Sequence, residues 1–62
     1  VGAAGYRAQA QRDARQAELC ASGAVDALSE GDLGTAQRYL QAARARINEA
    51  ERALQKARLE AA

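Results

Sequence analysis

An all-α fold, an antiparallel two-helix hairpin, is predicted by three features of the chain. Leu33, Leu40, Ile47 and Leu54 recur every seven residues, and Ala36, Ala43, Ala50 and Ala57 follow each of them by three. Such a heptad belongs to a helix packed along its length against other helices. The 62 residues include 18 alanines and no proline, with abundant Gln, Arg and Glu, all of which favour helix. Finally, Glu30-Gly31-Asp32 interrupts the pattern halfway and leaves two arms of similar length.

The first arm is predicted as a helix over about 3–29. Ala3, Ala10, Ala17 and Ala24 stand seven apart, and Ala14, Ala21 and Leu28 fill the neighbouring stripe. These spacings hold the side chains on one broad face. Gly23 weakens the arm locally, since an interior glycine costs about 1 kcal/mol relative to alanine. Ser22-Gly23 is therefore a candidate kink or helix end.

The stronger break is the turn, residues 30–32. Gly31 suits the left-handed conformation beyond a helix end. The Asp32 carboxylate suits the cap of the next helix. That helix is expected over about 33–61, with Gly34 loosening its first turn. A short connection between equal arms favours an antiparallel hairpin, residues 1–62 forming one unit.

The sequence expects the arms to meet large against small. Leu33, Leu40, Ile47 and Leu54 would act as knobs on the second helix, with Ala10, Ala17 and Ala24 as the shallow surface opposite. Alanine permits a helix separation near the lower end of ~8–10 Å. Six Leu, two Val, one Ile and two Tyr are a thin supply for a core of its own. A lone copy is therefore expected to be marginal and to gain stability from a second copy or another helical protein. Two such hairpins would complete a four-helix bundle.

Composition narrows the function. Nine basic and eight acidic residues leave a net charge of +1, which marks neither a nucleic-acid binder nor an acidic partner. There is no His, no Gly-rich phosphate loop and no dense metal-ligand set, so no enzyme activity and no cofactor are expected. The lone Cys20 has no internal disulfide partner and reads as a packing residue. This favours a reducing, cytoplasmic setting, with a periplasmic location or a processed fragment as the alternatives. No stretch approaches the 18 apolar residues of a membrane span.

Mixed charges line the rest of the second arm: Arg44, Arg46, Arg52, Lys56 and Arg58 among Glu49, Glu51 and Glu60. They read as a solvated flank. A second reading takes Arg38, Arg44, Arg52 and Lys56 as phosphate contacts of a small RNA-binding four-helix bundle. Tyr6 and Tyr39 are candidate anchors at an interface.

Two family patterns are visible. Gly31-Asp32-Leu33 followed by Ala36, Leu40 and Ala43, with Ala24 and Ala27 before the turn, resembles the inter-helix part of one tetratricopeptide repeat. Asn48 stands where that family often has Pro, and Cys20 where its first helix carries an aromatic. The resemblance implies a protein-binding scaffold that needs stacked neighbours. Gly23-Ala24-Val25 before Ala-rich heptads also resembles the helical hairpin of bacterial periplasmic efflux adaptors. That resemblance implies a hairpin tip at residues 23–26, with Asp26 where the family has Ser. The favoured function is a non-enzymatic protein–protein interaction or oligomerisation module. Its expected interface comprises Leu33, Tyr39, Leu40, Ile47, Leu54, Ala10, Ala17 and Ala24.

Overall fold

The structure is a computed structural model that describes residues 2–61. Two helices account for nearly all of it: α1, Ala3–Ser29, and α2, Leu33–Ala61. The hairpin measures 46 × 13 × 12 Å. Its long dimension is that of a 29-residue helix, which at 1.5 Å per residue is about 44 Å. Tyr39 near the turn lies against Gly23, and Lys56 near the open end lies over Tyr6. The arms therefore run antiparallel and stay in register from end to end.

The turn is built by backbone rules. Gly31 has φ of +76°, the left-handed region that glycine enters without penalty. Its N–H donates to the Leu28 carbonyl at 3.1 Å, and the Asp32 N–H donates to the Ala27 carbonyl at 2.9 Å. This pair of bonds is a Schellman closure, which satisfies carbonyls that the helix end would leave bare. Asp32 then starts α2. Its Oδ1 accepts from the Thr35 N–H at 3.1 Å, and its Oδ2 accepts from the Thr35 hydroxyl at 2.8 Å. A threonine three residues into the helix thus locks the capping carboxylate from two directions.

Among the described residues, every buried apolar side chain is an alanine: Ala17, Ala24 and Ala27 on α1, and Ala36, Ala43, Ala53 and Ala57 on α2. The α1 seam combines the Ala3/Ala10/Ala17/Ala24 row with a second row, Tyr6/Asp13/Cys20/Ala27, whose members are all half-buried or buried. On α2 the Ala36/Ala43/Ala50/Ala57 row is joined by Ala53. Methyl groups face methyl groups, which brings the two backbones close.

This arrangement corrects the large-on-small packing expected from the sequence. Leu33 is 70% exposed, and Leu40, Ile47 and Leu54 are each just under half exposed. They flank the seam instead of filling it. On α2 the Ala36 row faces α1, and the bulky row that precedes each of its alanines by three residues turns aside. The Ala14/Ala21/Leu28 stripe is likewise exposed. Ser22-Gly23 does not end α1, which runs unbroken to Ser29. Residues 23–26 lie inside that helix, so the hairpin tip implied by the efflux-adaptor resemblance is not formed there.

Candidate interaction face

The rotation of the two helices gives the hairpin two unlike faces. On one of them, Ala10, Gln11, Ala14 and Ala17 of α1 form a shallow groove with Ile47, Ala50, Glu51 and Leu54 of α2. The groove continues toward the open end between Ala3, Ala4 and Arg7 on α1 and Leu54, Ala57 and Ala61 on α2. Heptad spacing carries it toward the turn through Ala21, Leu28, Leu40 and Leu33. Leu28 is 52% exposed, so the bulky row of α2 gains a bulky neighbour on α1 at the turn.

The opposite face is polar. Gln9 and Gln16 of α1 and Arg46, Glu49 and Lys56 of α2 are exposed there. Within it, Lys56 Nζ sits 5.7 Å from the centre of the Tyr6 ring, within range of a cation–π attraction. Tyr39 closes the turn end of this face. A Cβ placed on Gly23 would stand 2.9 Å from the Tyr39 ring, so the ring rests on the bare backbone of α1. The signal for this contact in the sequence is a glycine inside an otherwise strongly helical arm. By propensity alone Gly23 reads as a weak point, whereas in the fold it is the space that a tyrosine occupies.

The predicted interface residues therefore divide. Leu33, Leu40, Ile47 and Leu54 line the apolar face. Ala17 and Ala24 are buried in the seam, and Ala10 is half-buried at its edge. Tyr39 belongs to the other side of the hairpin. Ala14, Ala21 and Leu28 complete the apolar face, although they are absent from the interface expected from the sequence. The four cations considered for phosphate binding are also split. Arg44 is exposed on α2, four residues after Leu40 and three before Ile47. Lys56 lies across the seam over Tyr6. Arg38 borders Thr35, Tyr39 and Ala42, and Arg52 is exposed two heptads beyond Arg38.

Two polar groups remain in or near the seam. Asp13 is half-buried, and its Oδ2 has no hydrogen-bond partner. Cys20 is a half-buried free thiol one heptad further along the same row. The capping carboxylate of Asp32 is held below its usual pKa of 3.8, first by the Thr35 hydroxyl, then by the Thr35 N–H and the Arg38 charge. No group of three or more His, Cys, Asp or Glu side chains is gathered for a metal among the described residues. No described helix is long and apolar enough to cross a membrane. Comparison with protein-family models, curated proteins and solved structures finds no match to the chain.

Proposed function

We propose that this hairpin is a non-enzymatic assembly module that binds a helical protein surface through the apolar face of Leu33, Leu40, Ile47 and Leu54. The observation that carries the reading is the position of those four side chains. They are the bulk of the large aliphatics on α2, they repeat every heptad, and they stand beside the seam with about half or more of their surface in water. A seam of alanine methyls buries little apolar area per layer, so the intramolecular contact alone supplies modest stabilisation. Covering the bulky row on a partner would remove the larger share of apolar surface from water. Restriction of the row to one face, opposite Gln9, Gln16, Arg46, Glu49 and Lys56, makes that partner contact one-sided.

Sedimentation of the whole chain tests this reading. Leu40→Lys with Ile47→Lys should abolish association while leaving helical content in place. Arg46→Gln with Glu49→Gln on the polar face should leave association as in the unmodified chain. Association that survives the lysine pair, or that responds only to the polar-face pair, would refute the reading.

A further inference from the structure

Resting on the proposed function, we infer that the partner is a second copy of this chain, packed face to face with both turns at the same end, so that α1 of each copy covers α2 of the other. Three observations lead there. The first is area. A compact protein of 6.5 kDa exposes about 3,800 Å² by size scaling. This hairpin exposes 4732 Å², an excess of about 900 Å² over that scaling. A standard protein interface removes about 800 Å² from each partner. One long face of a second hairpin therefore matches the surplus.

The second observation is size. On the apolar face, α1 presents Arg7, Ala14, Ala21 and Leu28, and α2 presents Leu54, Ile47, Leu40 and Leu33 at the corresponding heights. With both turns together, each row of one copy lies on the other row of its partner. Ala14 then meets Ile47, and Ala21 meets Leu40. Both helix pairs have the same mixture of large and small side chains and hence similar separations. The reversed arrangement sets Ala14 and Ala21 against their own kind and the Leu/Ile row against itself. It would need one close and one wide helix pair in the same bundle.

The third observation is charge. At the rim of the face, Glu18 of α1 stands level with Arg44 of α2, because the register that brings Tyr6 to Lys56 and Gly23 to Tyr39 also aligns 18 with 44. Within one hairpin these two side chains sit on opposite outer edges. Across two copies with turns together they become neighbours, twice. Arg44 has no acid three or four residues away on its own helix, where Leu40, Gln41, Ile47 and Asn48 stand. Gln11 is level with Glu51 in the same way and adds a polar rim contact. Rim pairs of this kind set orientation and partner choice.

The test is a mixing experiment on the full chain. Glu18→Arg and Arg44→Glu should each weaken self-association by about tenfold or more, since each places like charges together at two rim positions. An equal mixture of the two variants should restore it. In the mixed dimer the introduced arginine faces the introduced glutamate at one rim, and the native Glu18 and Arg44 pair at the other. A double variant shows the same recovery by itself. Turn proximity is read independently with spin labels on Glu30→Cys in a Cys20→Ala background. The expected label separation is on the order of 20 Å, two helix diameters. A separation comparable to the 46 Å length of the hairpin, no recovery on mixing, or a chain monomeric at every concentration would overturn the inference. If the Leu40→Lys, Ile47→Lys pair still abolishes association in the first two of these cases, the interaction module stands and only its geometry falls. If that pair has no effect, the module itself falls.

Discussion

Replacing Gly23 by alanine sets two opposing effects of known size against each other. Alanine inside a helix is favoured over glycine by roughly 0.8–1 kcal/mol. The new methyl would stand 2.9 Å from the Tyr39 ring, whereas carbon atoms settle at about 3.5–4 Å. The ring must give way. Tyr39 is 42% exposed, so it can swing outward, and an off-rotamer side chain costs about 0.5–1.5 kcal/mol. The two effects nearly cancel, and Gly23→Ala should change stability little in the unmodified chain. In a Tyr39→Ala background the conflict is gone, and the same substitution should stabilise by about 1 kcal/mol. A double-mutant cycle from urea melts at fixed protein concentration isolates the coupling, expected at about 1 kcal/mol. Equal effects of Gly23→Ala in the two backgrounds would show that the ring does not rest on α1, and with it the register drawn from that contact would fail.

Other substitutions probe the turn and the seam. Gly31→Ala should destabilise by roughly 1–2 kcal/mol in thermal melts, because alanine at φ of +76° meets the left-handed penalty. The Asp32 cap is at full strength above the usual pKa of 3.8 and is lost as pH falls through the lowered value of the folded state. Thr35→Val removes the hydroxyl bond and should therefore flatten that part of the acid dependence of the melting temperature. Asp13→Ala should raise stability by about 1 kcal/mol, since it removes a carboxylate oxygen that finds no partner in the seam.

The hairpin was legible because its signals are local. A Gly-Asp break between two proline-free, alanine-rich arms specifies helix, turn and helix without knowledge of distant contacts. Gly31 and Asp32 act through their own backbone conformation and through a side chain three residues away, which is why sequence spacing sufficed. The rotation of the helices was not legible in the same way. On α2, the Leu33 row and the Ala36 row share one heptad, and either can face a neighbour. On α1, the seam uses Tyr6, Asp13 and Cys20 in place of Ala14, Ala21 and Leu28. On α2 bulk and hydrophobicity favour the Leu33 row, but the closest approach of two backbones favours the Ala36 row. On α1 side-chain size does not select the Tyr6, Asp13 and Cys20 row over Ala14 and Ala21. Tyr39 and Gly23 illustrate the same limit, since a glycine's missing Cβ has meaning only once the partner ring is in place.

If the apolar flank of α2 is an assembly surface, it is covered when the protein is at its most stable. The melting temperature of the whole chain over a wide range of protein concentration measures that directly, because association raises the apparent stability of the folded state by mass action. The melting temperature should climb steadily with concentration, and Leu40→Lys with Ile47→Lys should abolish the climb. A melt of the unmodified chain that stays at one temperature from dilute to concentrated solution would contradict self-association through that face.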